Sequence, residues 1–158
     1  MPRNFKSTAV LQKPDPKFGS MLATKIINKI MLDGKKTSAQ EIFYTALDLA
    51  SKRLPDVEDQ VEIFTKAIDN VKPGVEVRSK RVGGANYQVP REVKRARQQS
   101  LAIRWVIENA RKKKGKPMQE RLAEELVDAY KGTGTSVTWK ENVHKMAEAN
   151  KAYAHYAR

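Results

Sequence analysis

Apolar residues recur every three to four positions along most of this chain, the spacing that gathers them on one face of an α-helix. In the first half of the chain this pattern predicts three helices. They are predicted to begin at Ser20, Ser38 and Asp56 and to end before Gly34, Pro55 and Pro73. The second start rests on a capping box between Ser38 and Glu41, and the third on an aspartate at the N-cap.

The period changes to two after the third predicted helix. Apolar and polar residues alternate from Val75 and again on the way to Val89, as they do in half-buried β-strands. The connecting segment contains Gly83-Gly84, a pair that can adopt the positive φ angles of a tight turn. We therefore predict a β-hairpin over residues 74–90.

Helical spacing returns after the hairpin and predicts three further helices. One follows Pro90 and runs to about Lys114, one starts at Pro117, and the last opens at Thr138 with a second capping box. Residues 150–158 are predicted to form a C-terminal helical tail.

Residues 1–18 do not fit the helical pattern. They contain Pro2, Pro14 and Pro16, which prevent regular helix, together with several lysine and arginine residues. The predicted fold is therefore mainly α. It is a single-domain bundle of about six helices, spanning residues 1–158, with one protruding β-hairpin and an extended basic N-terminal arm.

Positive charge is concentrated in two blocks of the chain. The formal net charge is +13, with 31 Lys and Arg against 18 Asp and Glu. Residues 1–36 carry +6 and residues 72–116 carry +11, whereas residues 37–71 carry −4 and residues 117–158 are balanced. A merely solubilising surface would spread the excess, so the two blocks indicate a polyanionic partner. Charge alone leaves RNA and DNA both open.

The hairpin carries the first group of candidate contact residues. Arg78, Lys80 and Arg81 lie at or near its tip, and Gly83 and Gly84 allow close backbone approach to a phosphate or sugar. Tyr87 has two alternative roles. It could stack on a base or ribose, or it could be a cross-strand partner of Val75 or Val77.

The fourth predicted helix carries the second group. Arg97, Arg104 and Arg111 are seven residues apart and therefore share one stripe. Near the predicted helix start, Arg91 and Arg95 are expected to share a face with Lys94 beside them. Cations there oppose the helix dipole, which suggests that phosphates cover that end. Lys112, Lys113 and Lys114 follow at the other end, either as RNA contacts or as a solvated helix terminus.

Motifs for catalysis, cofactors and metals are missing from the sequence. There is no cysteine, and His144 and His155 lack a metal-ligand spacing. Gly34-Lys35-Lys36-Thr37 has part of a phosphate-loop pattern but lacks its first glycine. Glu124 and Glu125 are interpreted as surface charges. We expect no enzymatic activity, no cofactor and no metal.

The sequence also gives no indication of a membrane protein. It contains no apolar run of about 18 residues, the length that a transmembrane helix needs. The first residues lack the apolar region of a signal peptide. An intracellular protein is expected. A DNA-binding regulator that uses the helices around Gly34 remains a rival, although it would leave the basic hairpin and arm without a role.

Three separate motifs make the chain recognisable. The segments 81–90 (RVGGANYQVP) and 144–156 (HKMAEANKAYAHY) are two of them. The third combines Ser20, Leu22, Ile26-Ile27, Gly34-Lys35-Lys36, Ile42-Phe43 and Ala46. Over nearly its full length the chain resembles the bacterial-type family of small-subunit ribosomal protein seven.

This resemblance implies a structural constituent of the small ribosomal subunit in the cytoplasm. Proteins of this family bind the 3′ major domain of small-subunit ribosomal RNA and nucleate assembly of the subunit head. Their hairpin lies near the exit-site transfer RNA and the messenger RNA path. Neighbouring ribosomal proteins of the head and platform are further implied partners.

The resemblance also suggests roles for particular residues. Those expected to face the exit-site region are Arg78, Lys80, Arg81, Gly83, Gly84 and Asn86. Those expected to bind ribosomal RNA are Lys35, Lys36, the N-terminal arm with Arg3 and Lys6, and the Arg91–Arg97 segment.

Overall fold

The structure is a computed structural model that describes residues 11–157 of the chain. Its elements are α1 (Met21–Ile30), α2 (Lys36–Arg53), α3 (Gln60–Val71), β1 (Val75–Val82), β2 (Ala85–Glu92), α4 (Arg95–Lys112), α5 (Met118–Tyr130) and α6 (Thr135–Ala149). A 3₁₀ helix, Lys151–Ala157, follows and is called the C-terminal tail below. The predicted mainly α bundle with one protruding hairpin is confirmed. Residues 1–10 of the predicted arm lie outside the described residues.

Helix α5 is the central element of the bundle, because it packs against α2, α3 and α4. Its Leu122 is fully buried, as are Phe43 of α2, Phe64 of α3 and Ile107 of α4. Each such side chain contributes about 1.5–3 kcal/mol when it is withdrawn from water. The apolar residues that recur at helical spacing thus stabilise the bundle by packing against one another in its core.

The segment before α1 is docked on the bundle. The carboxylate of Asp15 is buried and accepts hydrogen bonds from the backbone amides of Lys17 and Phe18. It also accepts one from the Tyr44 hydroxyl, with an O–O distance of 2.7 Å. Burial and this carboxylate together raise the pKa of Tyr44 to about 12. The Phe18 ring packs edge-on against the Phe43 ring, so the residues just before α1 belong to the core.

Two of the predicted helix starts are wrong, one by two residues and the other by four. Helix α2 begins at Lys36 rather than Ser38, because Asp33 and Gly34 with positive φ turn the chain early. The amide of Ala39 then donates to the Lys35 carbonyl and closes the first turn. Helix α3 begins at Gln60, since its N-cap is Asp59 rather than Asp56. The Asp59 carboxylate accepts the Val61 amide at 2.8 Å.

The predicted capping box at Thr138 is also wrong. Helix α6 begins at Thr135, directly after Gly134, so Thr138 lies inside the helix and its hydroxyl donates to the Gly134 carbonyl. The cap comes instead from α5, where the Glu125 carboxylate accepts the backbone amide of Ser136 at 3.0 Å. A long-range cap of this kind leaves no local sequence signal.

The start of α4 differs most from the prediction. Helix α4 begins at Arg95, because β2 continues past Pro90 to Glu92. The amide of Val93 still donates to the Gly74 carbonyl at 3.0 Å, which extends the ladder to the base of the hairpin. Arg91 therefore lies in a strand, and the prediction that it shares a helical face with Arg95 is wrong.

The two strands pair antiparallel and meet in a two-residue turn. Val82 lies opposite Ala85, and Gly83 and Gly84 between them have φ angles of 57° and 90°. Positive φ at both central residues is characteristic of the tight turns that match the twist of a hairpin. At the other end, the amide of Gly74 donates to His144 Nε2 at 3.1 Å, which joins the hairpin base to α6.

Candidate nucleic-acid interface

The tip of the hairpin projects its candidate residues into solvent. Arg81 lies opposite Asn86 in the ladder, and both side chains are exposed. Gly83 and Gly84 are exposed as well, and a Cβ built at either position would meet no atom within 4 Å. The backbone at the turn is therefore open to close approach by a phosphate or a sugar.

One face of the hairpin is covered by the C-terminal tail. Because side chains alternate along a strand, the register places Lys80 and Tyr87 opposite each other on this face. The Tyr87 ring lies 5.1 Å from the Tyr153 ring and 5.4 Å from the Tyr156 ring. The cross-strand role predicted for Tyr87 is therefore wrong, since its neighbour is Lys80 rather than Val75 or Val77.

The tail also accepts hydrogen bonds from two of the candidate cations. Lys80 Nζ donates to the carbonyl of Tyr156 at 2.8 Å, and Arg91 donates to the carbonyl of Ala157 at 2.7 Å. Both cations keep exposed side chains. These hydrogen bonds join both strands of the hairpin to the C-terminal tail.

Glu76 connects the hairpin to α4. Its carboxylate lies 2.8 Å from Arg78 Nε and 2.8 Å from Arg97 Nε. Both guanidinium groups are about half exposed, with side-chain exposures of 48% and 46%. One carboxylate between two cations leaves a net positive charge. The ion pairs therefore position these arginines without neutralising them.

The middle of the arginine stripe borders a groove between α1 and α4. The groove has a volume of about 370 Å³ and is lined by Lys25, Lys29 and Arg104 among others. Lys25 Nζ donates to Gln99 across it at 2.7 Å. Lys25 and Lys29 were not among the predicted contact residues. Their spacing of four residues on α1, facing the arginine stripe of α4, is the signal that could have identified them.

Arg111, the last residue of the stripe, is hydrogen-bonded to the C-terminal end of α1. Its guanidinium donates to the carbonyls of Lys29 and Ile30, at 3.3 and 3.0 Å. These carbonyls have no partner within the helix, so Arg111 acts as a C-cap from another element. The exposed Lys35 and Lys36 follow within a few residues of Ile30, at the start of α2. The basic surface thus continues from α4 to this connection.

The three lysines at the end of α4 point in different directions. Lys114 is exposed, and Lys112 Nζ lies 4.5 Å from the centre of the Trp139 ring. Lys113 turns inward, with Nζ 3.0 Å from a carboxylate oxygen of Glu125. Two of these three cations therefore remain on the surface.

The interpretation of Glu125 as a surface charge is wrong, because it is fully buried. Burial opposes its ionisation, but hydrogen bonds from Ser136 and Lys113 outweigh this effect and lower the pKa of Glu125. The carboxylate thus joins the end of α4 to the start of α6. Glu124 is more accessible and pairs with Arg53 and Lys116.

The remaining candidates lie at the start of α4 and in the arm. Lys94 and Arg95 are exposed at the N-terminus of α4, where no side chain caps the helix. They oppose the helix dipole, as the sequence suggested for this end. Arg3 and Lys6 lie outside the described residues.

The described part of the chain contains neither a candidate metal site nor a candidate membrane-spanning helix. Residues 11–157 contain no group of three or more histidine, aspartate or glutamate side chains placed to hold a metal ion. Among the helices described, none has both the length and the apolar character needed to cross a bilayer.

Comparison with known proteins gives a consistent family. The family model of ribosomal protein S7p/S5e matches residues 2–151. The small ribosomal subunit protein uS7 of Fervidobacterium nodosum is 57% identical over 143 residues, which cover 90% of this chain and 91% of that protein. The protein of the same name from Chloroflexus aurantiacus is 57% identical over 145 residues, covering 92% and 91%. That of Rhodopirellula baltica is 56% identical over 143 residues, covering 90% and 91%.

These matches confirm the family that the three sequence motifs indicated. They also confirm the expectation of a non-enzymatic protein of the cytoplasmic ribosome, because structural ribosomal proteins are what this family contains. The chain therefore belongs to the ribosomal protein S7p/S5e family of the small ribosomal subunit.

Proposed function

We propose that this protein is a primary binder of the 3′ major domain of small-subunit ribosomal RNA and nucleates assembly of the subunit head. The observation that carries the proposal is the line of exposed cations from the hairpin, along α4, to the α1–α2 connection. The acidic segment 37–71 lies on other elements, α2 and α3. The basic and the acidic blocks of the sequence thus lie largely on different elements of the fold.

The proposed recognition is of RNA shape and backbone. An A-form RNA helix hides its major groove, so lysine and arginine side chains reach its phosphates more readily than its base edges. Arg97 is held by the Glu76 carboxylate and Arg111 by the carbonyls of Lys29 and Ile30, which reduces the entropy these two side chains lose on binding. The protein would screen the repulsion between converging RNA helices and fix their relative orientation.

The hairpin is proposed to lie near the exit-site transfer RNA and the messenger RNA path. Its exposed tip carries Arg81, Asn86 and the two glycines, a combination suited to phosphate and sugar contacts. The family resemblance supports this role. The same resemblance supports neighbouring head and platform ribosomal proteins as further partners.

Competition binding tests the proposal. A labelled transcript of the 3′ major domain is bound to the protein at physiological salt and then displaced with unlabelled competitors. We expect the unlabelled 3′ major domain to displace it at least tenfold better than a 5′ domain transcript of equal length or duplex DNA of equal charge. Specific binding exceeds non-specific binding by at least this factor in most nucleic-acid complexes. Equal displacement by all three, or preference for duplex DNA, would refute the proposal.

A further inference from the structure

A large aromatic side chain is exposed beside the basic end of α4. Trp139 of α6 has 44% of its surface accessible. Ser136 is buried and is hydrogen-bonded to Asn109 of α4 and Glu125 of α5, and Val137 is buried in the core, so these two residues dock the start of α6. The outer part of the indole ring is therefore not needed to hold the helix in place.

The ring of Trp139 is in contact with a cation. Lys112 Nζ lies 4.5 Å from the ring centre, and the exposed Lys114 follows on the same chain segment. Glu108 precedes Lys112 by one turn of α4 and is the exposed carboxylate of that turn. Lys113 lies between two carboxylates, with Nζ 3.0 Å from Glu125 and 3.9 Å from Asp128. The cation that contacts the ring is therefore Lys112.

An exposed aromatic ring flanked by lysines fits an unpaired nucleotide. Every base offers a π-face to an aromatic side chain, while its phosphate is attracted by neighbouring cations. An apolar protein partner would have to desolvate the ammonium group of Lys112 in order to cover the ring. The ammonium group of Lys112 therefore favours RNA over a protein as the occupant.

We propose that Trp139 and Lys112 form a stacking site for one unpaired base of the bound RNA. This inference rests on the proposed function, because it assumes that ribosomal RNA covers the basic surface. Trp139 would stack on the base and Lys112 would contact the adjoining phosphate. The site adds a point of single-stranded recognition to a surface that otherwise grips backbone phosphates.

Fluorescence of Trp139 reports directly on this site. The chain has two tryptophans, and Trp105 is partly buried against the core, so a Trp105→Phe background leaves Trp139 as the single indole. The probe is a transcript of the 3′ major domain, and the comparison is a fully paired RNA duplex of equal length. We expect stacking to quench the emission with the transcript and much less with the duplex.

Affinity measurements provide the second readout. Trp139→Ala should weaken binding to the transcript by about 5-fold to 100-fold, the range for loss of one base–aromatic stack. Trp139→Phe keeps a ring and should lose less. Met146→Ala is the matched control, because Met146 lies two turns further along α6 and is 51% exposed. It should leave the affinity unchanged.

The outcomes separate this inference from the proposed function. If the Trp105→Phe protein binds the transcript without quenching, or if Trp139→Ala binds as well as Met146→Ala does, the stacking site is refuted while the proposed function stands. If the wild-type protein fails to bind the transcript, the proposed function itself fails. A quench by transcript and duplex alike also refutes the stacking site.

Discussion

Lys80 Nζ lies 2.8 Å from the carbonyl oxygen of Tyr156, which joins β1 to a residue 76 positions further along the chain. A two-stranded hairpin is marginally stable in water on its own. The base of this hairpin contacts α6, and its outer part is supported by the rings and carbonyls of the C-terminal tail. We therefore expect the tail to stabilise the hairpin.

Replacing Tyr153 and Tyr156 together by alanine should loosen the hairpin. Amide hydrogen exchange within residues 79–88 should accelerate by about tenfold or more, since local opening no longer has to break the aromatic contacts. Amides of α5 serve as the control within the same sample and should exchange as before. Unchanged exchange in the hairpin, or faster exchange in α5 as well, would contradict this role of the tail.

Two adjacent glutamates should differ sharply in their effect on stability. Glu125→Gln removes the buried charge that pairs with Lys113, and we expect a loss of about 2–4 kcal/mol in the free energy of unfolding. Glu124→Gln, the matched control, changes a more accessible pair and should cost less than about 1 kcal/mol. Denaturant unfolding at neutral pH measures both. Equal losses in the free energy of unfolding would contradict the conclusion that the buried Glu125 pair contributes more to stability than the accessible Glu124 pair.

Glu125 should also make the stability of the protein depend on pH in the acidic range. Because the pKa of Glu125 is lowered by folding, its contribution to stability is present above the usual carboxyl pKa of 4.5. That contribution is lost as the pH falls through the lowered pKa. The stability difference between the wild-type protein and Glu125→Gln should therefore shrink on acidification, and a difference that stays constant would contradict it.

Tyr44 should produce the opposite dependence at alkaline pH. Folding raises its pKa from 10.0 to about 12, so the folded state holds the phenol proton more tightly than the unfolded state. Its contribution to stability is complete below the unfolded pKa of 10.0 and is lost as the pH rises toward 12. Urea unfolding of the wild-type protein and Tyr44→Phe should give curves that converge above pH 10. If the free energies of unfolding of the two proteins instead changed in parallel with pH, the hydrogen bond from Tyr44 to Asp15 would not be a source of pH-dependent stability.

Arg104 should contribute to RNA binding mainly through charge. Arg104→Gln should weaken binding to the 3′ major domain and reduce the slope of log affinity against log salt by about 1, the value for one phosphate contact. Lys52→Gln makes the same charge change on α2, within the acidic segment, and should leave the slope unaltered. If both variants gave the same slope of log affinity against log salt, the α1–α4 groove would not be part of the RNA interface.

The sequence predicted the elements of the fold well because helices and strands leave periodic patterns. It predicted their ends poorly where a cap comes from a distant residue. The start of α6 depends on Glu125, and the end of α1 depends on Arg111, which lies 81 positions beyond Ile30. The continuation of β2 beyond Pro90 depends on the pairing of Val93 with Gly74. None of these pairings can be read from neighbouring residues.

The candidate interface was predicted in the same uneven way. Charge and the family motifs indicated the cations of the hairpin and α4, and the structure leaves most of their side chains exposed. Their local partners were not predictable, because Lys113 resembles its neighbours in sequence and yet turns inward. The packing of the C-terminal tail on the hairpin was likewise not predictable, since the contact between Tyr87 and Tyr153 joins distant parts of the chain. Contacts among distant residues thus decide which of these cations stay exposed.

The most direct test of the central claim is a hydroxyl-radical footprint of the protein on full-length small-subunit ribosomal RNA. The proposal predicts backbone protections that cluster in the 3′ major domain, where RNA helices converge, and that weaken when Arg104 is replaced by glutamine. Protections located in another domain, or none above those given by an unrelated basic protein of equal charge, would contradict it.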